Sequence, residues 1–167
     1  QVFGVIGLGN IGTRVAEYAQ KLGARILAYT RTPSQERANR LGVTFVDLEA
    51  LLQQSDIISI NTKLTPQTAG LIGSKEFGQM GRRPILINTA RGEVVDQTAL
   101  FEALRVGKIL AAGMDVLWHE PPNPKDPLLQ MKNVLFAPNC SSATTQGFGA
   151  QSELCIQNVE AFLSGKS

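Results

Sequence analysis

Short apolar runs alternate with amphipathic stretches along the whole chain. The first run, Val2–Ile6, stops at a glycine and predicts a buried strand. After it, apolar residues recur at helical spacing up to Gly23; these positions are Ile11, Val15, Tyr18 or Ala19, and Leu22. Strands alternating with helices predict an α/β fold, doubly wound, with a mostly parallel sheet and helices on both faces.

The same pattern predicts the remaining elements. Further strands are expected at residues 25–29, 43–46, 56–61, 85–88, 110–116 and 134–137. Further helices are expected at residues 34–41, 48–53, 74–80, 98–106 and 145–163, with Asp47 and Asp96 as N-caps. Cys155, Val159, Phe162 and Leu163 form one stripe on the last helix. Ligands of such sheets bind at the carboxyl ends of the strands, so the segments after residues 6, 29, 60, 88, 115 and 137 are the ones to search.

Composition narrows the class of protein. The chain has 167 residues, 43% of them hydrophobic, and is expected to form a single domain over residues 1–167. The formal net charge of +2, without a dense basic run, argues against nucleic-acid and membrane partners. Two cysteines and no signal-like or membrane-length segment favour a reduced, cytoplasmic setting. The abrupt start inside a strand suggests a piece of a longer protein.

The glycine loop after the first strand points to a dinucleotide. Gly7, Gly9 and Gly12 form a G-x-G-x-x-G pattern between a strand and an amphipathic helix, which is the context that this motif requires. Gly7 permits the tight turn, Gly9 lets phosphate approach the backbone, and Gly12 allows close helix packing. Free N–H groups at the helix N-terminus would bind the pyrophosphate. The fold class is therefore expected to be Rossmann-type.

The end of the second strand bears on the choice between NAD and NADP. A carboxylate that would bind the ribose 2′-hydroxyl is expected about twenty residues past the loop. Thr30 stands there instead, followed by Arg31, which could pair with a 2′-phosphate. No carboxylate is predicted at this position to repel that phosphate. The sequence favours NADP, or tolerance of both cofactors, and the alternative is that Arg31 stacks on adenine or faces water.

Polar residues after the later strands carry the candidate chemistry. Arg91 follows a strand at the ligand edge and can hold a carboxylate by two parallel hydrogen bonds. Asp115 ends the next strand, and Glu120 follows in a proline-rich loop. With these residues the chain resembles the NAD(P)-binding domain of the D-isomer-specific 2-hydroxyacid dehydrogenases, and most of all their glyoxylate and hydroxypyruvate reductase members. The matching segments are residues 7–12, 64–68, 88–92, 94–96, 113–116, 120–121 and 133–138.

The resemblance implies a role for several positions. The enzymes of this family transfer hydride between NAD(P)H and a small 2-oxo or 2-hydroxy acid, with Arg91 holding the substrate. Glu120 would hydrogen-bond a catalytic histidine and raise its pKa. The cofactor-binding residues implied by the motifs are Gly7, Gly9, Asn10, Ile11, Gly12, Thr30, Arg31, Thr62, Lys63, Thr68, Thr89, Ala90, Arg91, Asp115, Asn139 and Ser141. No metal is expected, a homodimer is, and the family's substrate domain would be absent from this chain.

Two departures from the family pattern stand out. The histidine that follows Pro138 in the family is Asn139 here. Asparagine can hydrogen-bond a carbonyl but cannot exchange a proton near neutral pH, so Asn139 predicts a large loss of rate. His119 could substitute, although an exposed loop histidine is the plainer interpretation. Lys63 replaces a proline, either as a basic cofactor contact or as a solvated side chain.

Three functions therefore stay open. The first is the cofactor domain of a 2-hydroxyacid dehydrogenase, which the glycine loop, Arg91 and Glu120 support. The second is a catalytically impaired relative that senses a dinucleotide or binds a partner, suggested by Asn139. The third, a relative of alanine dehydrogenase, fits the segments at residues 88–92 and 120–121 less well.

Overall fold

A single parallel sheet forms the centre of the molecule. The computed structural model describes residues 1–137, 139–141 and 143–165. Within these ranges seven strands are ordered β3-β2-β1-β4-β5-β6-β7, with every neighbouring pair parallel. They are β1 (Val2–Ile6), β2 (Arg25–Tyr29), β3 (Thr44–Phe45), β4 (Ile57–Ile60), β5 (Ile85–Asn88), β6 (Ala111–Met114) and β7 (Val134–Phe136). The predicted doubly wound α/β fold is confirmed.

Helices connect the strands. They are α1 (Asn10–Lys21), α2 (Gln35–Leu41), α3 (Leu48–Gln54), α4 (Ser74–Gln79), α5 (Gln97–Arg105) and α6 (Thr145–Leu163). The carboxylates of Asp47 and Asp96 accept hydrogen bonds from the backbone N–H groups of Ala50 and Ala99, both at 2.7 Å. Both predicted N-caps are therefore confirmed, and they satisfy backbone donors that have no partner inside the helix.

The core consists of two apolar layers, one on each face of the sheet. Successive residues of a strand point to opposite faces, so Val5 lies in one layer and Ile6 in the other. Ala16 of α1 packs in the layer with Val5, whereas Leu51 of α3 packs in the larger layer with Ile6. Helices therefore cover both faces, as the alternating pattern predicts.

The buried face of α1 matches the predicted one only in part. Ala19, one of the two residues predicted for its position, is buried, but Ile11, Tyr18 and Leu22 are 67%, 65% and 89% exposed. The helix also buries Gly12 and Ala16, because it packs so close that a Cβ on Gly12 would collide with the carbonyl oxygen of Gly7. Only small side chains fit between α1 and the sheet at this distance, so apolar spacing alone pointed to residues that are too large.

The last helix is where it was predicted, but its apolar stripe is not covered. Within the described residues, no side chain of α6 is buried, and Phe162 and Leu163 are 83% and 78% exposed. In the same ranges, no helix is both long enough and apolar enough to cross a membrane.

Candidate functional site

The carboxyl ends of the central strands gather the candidate residues at one edge of the sheet. β1, β2 and β4 end at Ile6, Tyr29 and Ile60, while β5 and β6 end at Asn88 and Met114. Because the strands are parallel, the segments that follow them all lie at this edge. The sheet order reverses direction between β1 and β4, and a crevice forms at such a point.

The glycine loop is shaped to accept a phosphate group. Gly7 has a φ of +92°, and its N–H donates to the carbonyl of Tyr29 at 2.8 Å. A Cβ on Gly7 would lie 2.8 Å from both Asn61 O and Thr62 N, whereas one on Gly9 would meet nothing within 4 Å. The Gly7 side of the loop is therefore packed against the end of β4, and the Gly9 side is open to a ligand.

The start of α1 adds the electrostatic part of this cradle. Its N-cap is Gly9, which offers no side-chain hydrogen bond, and its first turn contains no acidic residue. The first N–H groups of the helix are thus free to donate to an anion, and the helix dipole favours negative charge there. The residues present fit a dinucleotide pyrophosphate.

Asn61 is a further residue of this edge, and the sequence motifs did not single it out. Its side-chain amide donates to the carbonyl and the hydroxyl of Ser59 at 3.2 and 3.0 Å, and its Oδ1 is buried without a partner among the described residues. Leaving a buried acceptor unpaired costs about 1–3 kcal/mol. Its position directly after an apolar strand, at the edge where ligands bind, is the sequence feature that could have identified it.

A cleft at the end of β2 contains the candidate ribose contacts. Its lining residues are Tyr29, Thr30, Pro33, Phe45, Val46 and Asp47. Arg31 lies beside it and is exposed. The prediction that no carboxylate would be present here was incomplete. Asp47 comes from the segment after β3 and lines the same cleft while one of its oxygens caps α3.

Arg91 is fixed through its backbone and exposes its guanidinium at the ligand edge. The buried side chain of Asn88 donates to the carbonyl of Arg91 at 2.9 Å and accepts from the N–H of Ala90 at 3.0 Å. The Arg91 side chain is exposed and donates only to the carbonyl of Ala90, at 2.6 Å, among the described residues. Asn88 is therefore a positioning residue, and Arg91 can bind a carboxylate at the ligand edge.

Asp115 fixes the segment that carries Asn139. Its buried carboxylate accepts hydrogen bonds from the backbone N–H groups of Cys140 and Ser141, at 3.0 and 3.1 Å. Burial raises the pKa of this carboxyl, but the hydrogen bonds from Ser141 and Cys140 outweigh it and hold the pKa below its usual value. Asp115 thus acts through the loop as an ionised clamp.

Glu120 and Asn139 are brought together. The side-chain amide of Asn139 donates to a carboxylate oxygen of Glu120 at 3.3 Å, in the relation that the resemblance implies for the family's histidine. Asn139 has a φ of +53°, a left-handed conformation that asparagine tolerates better than most residues. Pro138, which precedes it in the family pattern, lies outside the described residues.

The hydrogen-bonded pair does not include His119, Trp118 or the cysteines. His119 is exposed and lines a different cleft together with Trp118 and Asp126. The Trp118 indole donates to the carbonyl of Val95 at 2.7 Å, which gives it a packing role. Both cysteines are free and exposed. In residues 1–137, 139–141 and 143–165, no group of three or more metal-ligating side chains occurs.

Known proteins place this chain in a family. Residues 1–141 match the family model described as D-isomer specific 2-hydroxyacid dehydrogenase, NAD binding domain. A glyoxylate reductase from Korarchaeum cryptofilum is 42% identical over 166 residues, which are 99% of this chain and 50% of that protein.

Solved structures agree with the sequence comparison. The TT0316 protein from Thermus thermophilus superposes with a TM-score of 0.91 at 38% identity, over 99% of this chain and 51% of that one. D-lactate dehydrogenase with NAD+ from Lactobacillus jensenii superposes with a TM-score of 0.89 at 35% identity, over 100% of this chain and 54% of that one.

The chain thus spans about half the length of the relatives that it matches. The relatives are named as reductases and dehydrogenases, and they give no support to the alternative of a catalytically impaired sensor. By sequence and by structure, the chain belongs to the D-isomer specific 2-hydroxyacid dehydrogenase family, as its NAD(P)-binding domain.

Proposed function

We propose that this chain is the cofactor-binding part of an oxidoreductase that transfers hydride between NAD(P)H and C2 of a small 2-oxo or 2-hydroxy acid. The observation that carries the proposal is Arg91, whose backbone Asn88 fixes and whose exposed guanidinium has no carboxylate partner among the described residues. A glyoxylate reductase is among the relatives, so glyoxylate and hydroxypyruvate are the first substrates to test. The substrate-binding domain would belong to a longer protein.

In the proposed hydride transfer, each side chain of the site has a separate role. When bound, the cofactor supplies the hydride, and the protein orients the two reactants. Arg91 holds the substrate carboxylate and polarises its carbonyl group. Asn139 donates a hydrogen bond to the carbonyl oxygen from a side chain that Glu120 orients and Asp115 keeps in place. Thr89, Ala90 and Ser141, which follow strands at the same edge, would help to hold the cofactor.

The proton must reach the carbonyl oxygen by another route. An amide does not titrate near neutral pH, so Asn139 stabilises developing negative charge without neutralising it. The product alkoxide therefore takes its proton from water in this proposal. We expect a reductase that is slower than one with histidine at position 139.

Cofactor choice depends on the balance of two opposite charges at the ribose cleft. Arg31 favours a 2′-phosphate, and Asp47 lines the same cleft with a negative charge. Because one oxygen of Asp47 is engaged by the α3 cap, we propose a modest preference for NADPH over NADH. Fluorescence titration of the chain with each cofactor tests this. Arg31→Ala should weaken NADPH alone, and failure of the wild-type chain to bind either cofactor would contradict the proposal itself.

The role of Arg91 in glyoxylate reduction is tested in a longer protein that includes the substrate-binding domain. Arg91→Lys keeps the positive charge but loses the paired hydrogen bonds, so KM for glyoxylate should rise and kcat should fall. An unchanged circular dichroism spectrum and unfolding temperature of the variant would separate a functional role from misfolding. Unchanged kinetics in this variant would exclude Arg91 as the carboxylate-binding group.

The assembly and location of the protein belong to the same proposal. We propose a homodimer in the cytoplasm, supported by the family resemblance and by the two cysteines, which are both unpaired. Light scattering on the full-length protein would show twice the monomer mass.

A further inference from the structure

Lys63 lies beside the glycine loop because of the way β4 ends. A Cβ on Gly7 would touch Asn61 O and Thr62 N, and one on Gly12 would approach the Cβ of Asn61 at 3.3 Å. These contacts show that residues 61 and 62 pack directly behind the loop. Lys63 is the next residue along the chain, and its side chain is exposed. It therefore stands at the crevice between β1 and β4, where ligands of such sheets bind.

The backbone of Lys63 is held in place. The hydroxyl of Thr68 donates to the carbonyl of Lys63 at 2.6 Å and accepts from the N–H of Thr65 at 2.8 Å. One side chain thus closes the segment from residue 63 to residue 68 into a hydrogen-bonded turn. Because the backbone at Lys63 is already ordered, less conformational entropy is lost when its ammonium group binds an anion.

The charge of Lys63 is available to a ligand. The ion pairs of the described residues involve Arg14, Arg82 and Arg105, so neither Lys63 nor Arg31 has a carboxylate partner there.

β2 and β4 flank β1 on opposite sides. The segments that follow them therefore place Arg31 and Lys63 on opposite sides of the glycine loop.

We propose that Lys63 is a phosphate-binding residue for the pyrophosphate that NAD and NADP share, with Thr68 as its positioning residue. Arg31 would bind only the 2′-phosphate of NADP, so Arg31 and Lys63 would contact different parts of the cofactor. The inference rests on the proposed function, because it assumes that a dinucleotide occupies the glycine loop. The proline that the family pattern has at this position carries no charge and could not make this contact.

The test compares Lys63→Met, which keeps the length of the side chain and removes its charge, with Lys21→Met as the matched control. Lys21 is an exposed lysine at the far end of α1. Kd values for NADH and NADPH are measured by fluorescence titration at low and high salt. Lys63→Met should weaken both cofactors by a similar factor, about three- to tenfold, at low salt. The loss should shrink at high salt because screening weakens the charge contact.

Each other outcome has a definite meaning. Unchanged Kd values for both cofactors in Lys63→Met would overturn the inference, and so would a loss confined to NADPH. Lys63→Arg should retain binding, and Thr68→Val should weaken both cofactors while Arg31→Ala weakens only NADPH. If the wild-type chain binds neither cofactor, the proposed function fails, which the titration of the unmodified chain reports separately.

Discussion

Asn139 lies beside Glu120, where the family resemblance implies a catalytic histidine. Its amide donates a hydrogen bond to the Glu120 carboxylate at 3.3 Å but cannot supply a proton. We predict that Asn139→His in the full-length protein raises kcat for glyoxylate reduction by about 10²–10⁴, because histidine supplies general acid catalysis. The measurement is the initial rate of NADPH oxidation, followed by the loss of its absorbance at saturating glyoxylate.

A matched variant tests whether a rise in kcat depends on a side chain that can donate a proton. Asn139→Gln keeps an amide and should show no such increase. If Asn139→His is folded, binds cofactor and is no faster than the wild type, then the missing proton donor does not limit this enzyme.

Asp115 makes the loop before α6 sensitive to acid. Its pKa is lowered in the folded chain, so it stabilises the fold above its unfolded pKa of about 4 and loses that contribution as pH falls through the folded value. Asp115→Asn replaces one acceptor with a donor that faces a backbone N–H. We predict a lower unfolding temperature at pH 7 and a smaller difference from the wild type in acid, measured by circular dichroism. A difference that does not depend on pH would argue against the ionised clamp.

At the scale of elements, α1 illustrates how packing distance selects residue size. Ala16, which the apolar pattern did not include, is 1% exposed, whereas Leu22, which it did include, is 89% exposed. We predict that Ala16→Leu destabilises the fold by about 1–3 kcal/mol through overpacking. Leu22→Ala should change the stability by less than about 0.5 kcal/mol, as for surface substitutions. Urea unfolding measures both free energies, and equal effects would contradict this placement of α1.

The helix α6 contributes no buried side chain to the described part of the chain. We predict that ending the chain at Thr144 leaves the unfolding temperature of the remainder unchanged within experimental error. It should also reduce binding of a hydrophobic dye, because the exposed Phe148 and Phe162 are removed. A large drop in unfolding temperature would show that α6 packs against the sheet domain.

At the scale of the whole molecule, the cofactor cradle is complete while the substrate side is open. The glycine loop is backed by β4 and α1, whereas Arg91, Glu120 and Asn139 are all exposed. We predict that the chain alone binds NADPH with an affinity close to that of the full-length protein. It should reduce glyoxylate at a small fraction of the full-length rate, because water is not excluded from the site. Comparable turnover would show that the chain needs no further domain.

The amino-acid sequence alone determined the features that depend on local patterns. Alternating apolar runs predicted the strands and helices, Asp47 and Asp96 were identified as caps, and glycine spacing identified the dinucleotide loop. Motif order was sufficient to identify the family, because many short matches in sequence are specific even when each one is weak.

Only the tertiary structure decided which residues from different strands meet. Asp47 lines the cleft at the end of β2 because β3 lies beside β2. Asn61 packs against the glycine loop because β4 lies beside β1. The buried side of α1 was likewise set by its distance from the sheet and not by its apolar spacing. The physical reason is common to all three: such contacts depend on strand order and packing distance, which arise only when elements far apart in sequence come together.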